Sequence, residues 1–260
     1  MAEITHIDFS LARRLEAAEA AFGAELAADH LWIAGGCAAS LGPDSPLTHA
    51  LGLGMNGPVT TADFDRLENF YHERGVTPNI NLCPLADVSM VELLGARGYR
   101  PLEFNNVLVR RISREDGGGP LMTPIEDCEK WALTLARCFY GEENIPEELM
   151  VVGRTLFRAR SASSFLIDDM AGCALMLQSG LATFYADGTR AMARGRGLQS
   201  ETIRARIALS ASQECDLATA STLPGSQSQR NYERAGFRVA YTKIAFEKSN
   251  AAPARSPSNA

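Results

Sequence analysis

The chain has no histidine beyond residue 72: all four, His6, His30, His49 and His72, lie in its first third. A Ser-His-Asp or Cys-His hydrolytic centre built within the C-terminal half is thereby excluded, and so is a His-ligated metal there. The six cysteines, Cys37, Cys83, Cys128, Cys138, Cys173 and Cys215, are scattered and include no Cys-x-x-Cys pair, so reduced, mostly buried thiols are expected. No apolar run approaches membrane-spanning length, and no basic segment followed by an apolar stretch opens the sequence. Neither membrane insertion nor secretion is expected from that pattern, and a cytoplasmic location is. Positive charge is in deficit, with 25 Lys and Arg against 31 Asp and Glu and a net charge of −6. That balance argues against nucleic acid as the main partner; it suits a cationic acceptor, although acidity also serves solubility. What is present is an ordinary globular composition, 46% hydrophobic and 22% charged over 260 residues, enough for two domains of usual size.

Periodicity and punctuation divide the chain into two similar series. The first predicts a helix over 9–28, strands over 31–37 and 48–55, a helix over 60–74, a strand over 79–83, a helix over 88–97 stopped by Gly98, and a strand over 104–112. The run Gly117-Gly118-Gly119-Pro120 resists regular structure and reads as a linker. The second series predicts helices over 125–139 and 146–160, strands over 164–168, 172–178 and 181–189, a helix over 198–212, a strand over 216–221, a helix over 226–235 stopped by Gly236, and a strand over 237–247. Residues 249–260 are Ala, Pro, Ser, Asn and Arg and read as a loose tail.

The most informative stretch is Met192-Ala193-Arg194-Gly195-Arg196-Gly197-Leu198-Gln199, which joins a strand to a helix. The first N–H groups of a helix lack intrahelical partners and carry the positive end of the helix dipole, so such a junction is suited to a diphosphate. Gly195 and Gly197 let the backbone come close to a ligand, and Arg194 and Arg196 add full charges. Gly52-Leu53-Gly54 is a second Gly-x-Gly, so the pattern alone is weak, and the flanking arginines and the strand–helix context give this one its weight.

An ungapped offset of 138 residues sets Gly57 on Gly195, Arg66 on Arg204, Gly98 on Gly236, Tyr99 on Phe237 and Arg100 on Arg238, with the same order of elements. The chain reads as a degenerate duplication. In the first copy Asn56, Pro58 and Val59 stand where the second has Arg194, Arg196 and Gly197. The proline removes a donor and the β-branched valine resists close approach, so phosphate binding is expected in the second copy alone.

With ARGRGLQSETI (residues 193–203) entering one helix and NYERAGF (residues 231–237) ending another, the second half resembles the GNAT superfamily of acetyl-CoA-dependent N-acetyltransferases. The resemblance implies an α+β (α/β) fold of two GNAT-like lobes, each a mixed, mostly antiparallel sheet flanked by helices. It assigns a degenerate lobe to residues 1–115, a catalytic N-acetyltransferase domain to 120–248 and a flexible tail to 249–260. It also implies acetyl-CoA as co-substrate, an amine of a small molecule or peptide as acceptor, no metal, and no nucleic-acid or membrane partner, and it leaves a homodimer open. The sequence departs from the family at Met192, where Gln or Arg is usual, at Ala191, a common proline, and at Gly225, a frequent Asn whose contact passes to Ser228 or Asn231.

Acyl transfer to an amine needs an unprotonated nucleophile, stabilisation of the oxyanion and a proton for the leaving thiolate. The resemblance makes Tyr232 the candidate proton donor, with a core tyrosine as the plainer alternative. Backbone donors around Asp187, Gly188 and Thr189 are expected to meet the oxyanion, Gly188 marking a bulge. Asp187 is the carboxylate nearest in sequence to the acyl position and so the candidate base, against a solvated turn aspartate, with water as the other proton acceptor. Arg194, Gly195, Arg196, Gly197, Leu198, Gln199, Ser228, Asn231 and Tyr232 complete the expected cofactor site. The acceptor is expected to enter over the loop of Tyr140, Glu142 and Glu143. A non-catalytic CoA-binding or regulatory module is the rival reading, and a Rossmann dinucleotide site is disfavoured because the third glycine of its motif is Ser200.

Overall fold

The computed structural model of the chain describes residues 8–43, 45–141 and 144–248; Glu142, Glu143 and the tail lie outside the described residues. Helix α1 (Phe9–Leu26) starts at Asp8, whose carboxylate accepts from the Leu11 N–H at 2.8 Å. It leads into a hairpin of β1 (Asp29–Ile33) and β2 (Gly36–Ser40). The sequence predicts one strand across this region. The reversal comes from Ala34-Gly35, both at positive φ (50° and 81°), a left-handed pair of the kind tight hairpins need. Alanine seldom adopts that conformation, so the turn carries little signal.

The first half continues through β3 (His49–Leu51), α2 (Thr61–His72), β4 (Asn79–Leu82), α3 (Ser89–Ala96) and β5 (Tyr99–Arg111). The second half comprises α4 (Cys128–Phe139), α5 (Glu147–Phe157), β6 (Ala162–Ile167), β7 (Ala171–Gln178), β8 (Leu181–Thr189), α6 (Leu198–Ser212), β9 (Leu217–Thr222), α7 (Gln227–Arg234) and β10 (Arg238–Lys248). The glycine-rich stretch between them is more ordered than its composition suggests. Arg114–Gly118 forms a 3₁₀ turn with a Ser113–Asp116 capping box, and Asp116 also accepts from Arg110 at 2.6 Å. A side chain at Gly119 would fall 2.9 Å from that of Ala208, so the stretch is packed onto α6.

The described strands form one ten-stranded sheet in the order β1-β2-β3-β4-β10-β5-β9-β8-β7-β6. The order is symmetric: each strand of one half mirrors the strand five later in the other. In each half an antiparallel meander ends in a parallel pair joined through a helix, β3 with β4 and β8 with β9. The last strand of each half crosses over, β10 lying between β4 and β5, and β5 between β10 and β9. The two lobes therefore complete each other's sheet, and at the offset of 138 residues α3 falls on α7 over its whole length.

Each lobe has its own apolar centre, Phe64, Leu67, Tyr71 and Ile80 in the first and Phe165, Leu175, Phe184, Ile203 and Phe237 in the second. A third cluster spans both, with Leu15, Met55, Val109, Leu217 and Tyr241. At about 1.5–3 kcal/mol for each large side chain buried, this shared cluster ties the lobes together. The six cysteines form no disulfide.

Candidate functional site

The site grows from the junction of β8 and α6. A residue on each side of the 3₁₀ turn Ala191–Ala193 anchors it: Arg190 donates to the Asp169 carbonyl at 3.0 Å, and Arg194 to the Thr189 and Cys138 carbonyls at 3.3 and 3.4 Å. Gly195 and Gly197 have φ of 79° and 81°, and a side chain at either would meet nothing within 4 Å. Left-handed backbone, then, is what these positions demand of their residue. Gly197 is the N-cap of α6, and no side chain caps that helix. The equivalent helix α2 is closed by its own side chains: Thr60 and Asp63 form a capping box, with Asp63 Oδ2 also accepting from the Thr60 hydroxyl at 2.7 Å. At the start of α2 side chains thus take up the N–H groups of Thr60 and Asp63, whereas no side chain takes up an N–H at the start of α6.

The uncapped end opens into a cleft of about 570 Å³ between α6, α7, the end of β8 and the end of α4. Asp187, Gly188, Thr189, Arg194, Gly195, Gly197, Leu198, Gln199, Ser228 and Asn231 all line it. Gln199 links α6 to α7 by donating to Ser228 Oγ at 2.8 Å and accepting from Asn231 Nδ2 at 2.7 Å. Arg196 is exposed and is not among the lining residues, nor is Tyr232. Cys138, Phe139, Ser200, Gln227 and Arg234 join the lining without having been expected. Arg234 had a readable signal, a cation one turn beyond Asn231, to whose Oδ1 it donates at 2.9 Å.

At the site end of β8 the strand bulges, as the register against β7 shifts between Gly172 and Ala174. The left-handed residue of the bulge is Ala186, at φ 55°, where Gly188 was the expected one. Gly188 has a different reason: a side chain there would lie 2.6 Å from Cys138 Cβ, so glycine lets α4 pack close. Pairing of β8 with β9 stops at Phe184↔Ala220, and the rest of β8 turns an unpaired edge toward β9.

Behind this edge is a buried charge network that the sequence reading missed. Arg206 is 1% exposed; its guanidinium bonds both oxygens of Asp187, donates to the Ala174 carbonyl at 2.9 Å and lies 4.5 Å from the Phe184 ring centre. The Tyr232 hydroxyl donates to Asp187 Oδ2 at 2.7 Å. Burial opposes the charge on Arg206, but Asp187, Cys173 and Tyr232 outweigh it and raise its pKa. Burial likewise raises the Tyr232 phenol well above its ordinary value. The base expected at Asp187 is thus a carboxylate already paired on both oxygens. The acid expected at Tyr232 is a buried phenol that does not line the cleft and whose proton is engaged by Asp187.

Against solved structures, the chain superposes on a GCN5-related N-acetyltransferase from Kribbella flavida with a TM-score of 0.65 at 14% identity, covering 93% of this chain and 96% of that one. The fold is that of the GCN5-related N-acetyltransferases. A tandem GNAT protein from the clavulanic acid biosynthesis pathway matches with a TM-score of 0.54 at 12% identity over 74% of this chain and 70% of that one. A GCN5-related N-acetyltransferase from Sphaerobacter thermophilus gives 0.52 at 16% identity over 72% and 67%. No family model matches the chain, and no curated protein does. No helix among the described residues is long and apolar enough to cross a membrane.

Proposed function

We propose that the chain is an acetyl-CoA-dependent N-acetyltransferase whose C-terminal lobe, residues 120–248, binds the coenzyme and whose N-terminal lobe, residues 1–115, does not. The observation that carries this reading is the contrast between the two equivalent helix ends, α6 uncapped and open to a cleft, α2 closed by its own capping box. The first-turn N–H groups of Leu198 and Gln199, the left-handed Gly195 and Gly197, and Arg194 would hold the diphosphate, with Arg196 at the solvent edge. Ser228 and Asn231 face the same cleft from α7 and would hold the pantetheine arm. When bound, the coenzyme supplies a thioester carbonyl; donors on the unpaired edge of β8 at Asp187–Thr189 would take the charge that develops on its oxygen.

In this reading Asp187 and Tyr232 are positioning residues. The buried network with Arg206 fixes the bulged end of β8 against α6, and water takes the amine proton. A low-dielectric surround makes that network stiff, because any displacement leaves a charge unpaired. The transfer reading is tested by following CoA thiol release from acetyl-CoA with a panel of amines. Release that depends on the amine supports it. Coenzyme binding without release under any amine would instead support the regulatory module.

A further inference from the structure

On the other face of the sheet the two lobes close a second cavity, of about 340 Å³, within the range of small-molecule sites. Leu15 and Phe22 of α1 form its roof, and its floor crosses the strands from Val107 of β5 through Ser221 of β9 to Tyr185 of β8, whose ring lies 5.1 Å from that of Phe22. Ala186 also lines it, while the next residues of β8, Asp187–Thr189, line the coenzyme cleft. Since β8 and β9 are unpaired beyond Phe184↔Ala220, the cavity and the cleft adjoin where these two strands part.

The far end is set by Tyr241 of β10. The registers Tyr241↔Val107 and Val107↔Ser221 put it two strands, about 10 Å, from the parted edge. Between the two ends the wall is mainly apolar. The polar groups at the far end are already engaged: Lys243 pairs with Glu19, the Tyr241 hydroxyl donates to Glu16 at 2.7 Å, and His49 bonds to the Pro46 main chain. Glu16 lies behind this wall, and burial pushes its carboxyl toward the neutral form. The far end therefore carries one paired charge of each sign, and it stops the apolar run without offering a charge in want of a partner. An extended hydrocarbon chain advances about 1.2 Å per bond, so about eight bonds span the run.

We propose that this interlobe cavity is the acceptor site and that it takes a primary amine on an unbranched alkyl chain of about eight carbons, the nitrogen at the parted edge and the methyl end against Tyr241. The inference rests on the transferase reading above. With the coenzyme in the cleft and its thioester at the end of β8, the amine reaches the carbonyl from this cavity. Its nitrogen then lies beside the unpaired main-chain groups of β8 and β9. The apolar wall holds the chain and favours the neutral, nucleophilic form of the amine. A long acyl group on the coenzyme would fill the same space and stand in the amine's path, so the chain belongs to the acceptor. A second cation in mid-chain would be buried against Leu15 and Val107 without a partner. In the transfer a bond forms between the amine nitrogen and the acetyl carbon and the carbon–sulfur bond breaks. The nitrogen loses one proton to water, and the CoA thiolate takes one up.

The test follows CoA release from acetyl-CoA by the full chain with a series of alkylamines, and measures amine binding by saturation-transfer NMR. The expected kcat/KM rises about fourfold for each methylene from propylamine to octylamine. It falls by at least about tenfold at dodecylamine, whose chain outruns the cavity. Spermidine, of similar reach with a cation in mid-chain, should lie at least about tenfold below octylamine. Val107→Phe, which blocks the floor half-way, should cut the preference for octylamine over propylamine by at least about tenfold and weaken the octylamine NMR signal, while acetyl-CoA affinity by calorimetry is unchanged. The wild-type series judges the proposal even where that variant fails to fold. Acetyl-CoA binding with a kcat/KM indifferent to chain length, with spermidine preferred, or with octanoyl-CoA and propylamine outpacing acetyl-CoA and octylamine, overturns the cavity assignment alone. Absence of acetyl-CoA binding overturns the transferase reading, and the NMR comparison of octylamine with propylamine then still judges the cavity.

Discussion

Replacing Arg206 by methionine removes the cation of the buried network while keeping most of its volume. The guanidinium is bonded to both Asp187 oxygens and to two main-chain carbonyls, of Ala174 at 2.9 Å and Thr202 at 3.2 Å. Two opposite charges about 4 Å apart at an effective dielectric constant near 20 attract by about 4 kcal/mol. The Asp187 side chain is 10% exposed, so water can restore little of that. Removing one partner of such a pair costs about 3–5 kcal/mol, so Arg206→Met should lower unfolding stability by about that amount. Asp187→Asn should do nearly the same, because arginine cannot shed its charge. The double variant leaves no charge unpaired and should cost less than the sum by about 2–3 kcal/mol. Urea denaturation of the four proteins measures the cycle. Single variants within about 1 kcal/mol of the wild type, or a double variant equal to the sum, would refute the idea that this pair holds the end of β8.

Gly197→Ala should cost about 1–2 kcal/mol of stability, from its left-handed φ of 81°, and weaken acetyl-CoA binding in calorimetry. Thr60→Ala, which removes the cap of the equivalent helix, should cost about 1 kcal/mol and leave coenzyme affinity alone. Tyr232→Phe should lower kcat by less than about tenfold if the phenol positions Asp187; a loss above about a hundredfold would return the proton-donor role to it. Burial holds the His49 imidazole pKa below its ordinary 6.5, so its contribution to stability is present above that value and is lost as the pH falls through 6.5 toward the folded value, where the unfolded chain takes up the proton first. The drop in denaturation midpoint between about pH 7.5 and 5.5 should therefore shrink in His49→Gln, and an unchanged drop would contradict this.

Local features were legible where local forces decide them. The observed bounds of β8 and α6, Leu181–Thr189 and Leu198–Ser212, are those the periodicity predicts, and the glycine junction between them lines the cleft as its residue types suggest. The expectation that the first copy does not bind phosphate rests on Pro58 and Val59, and the structure adds beside them the Thr60–Asp63 box, which the sequence reading did not name. The exchange of β5 and β10 was not legible. Both are ordinary strands, and which partner each takes is decided by sheet-wide packing. Arg206 was missed for a similar reason: among 25 cations, only its setting between buried Ile203 and Ile207 distinguishes it, and that emerges once α6 is placed on the sheet. Likewise, the absence of histidine from the second half says nothing of His49, which β3 brings to the wall of the interlobe cavity.

In the proposed function one helix end of the two grips the coenzyme, and titration calorimetry of the full chain with acetyl-CoA measures this without relying on any acceptor. A single site per chain is expected, lost in Gly197→Pro, where the first helical turn gives up a donor and its left-handed entry, and retained in Thr60→Ala. Two equivalents of coenzyme per chain, or no heat at all, would contradict it.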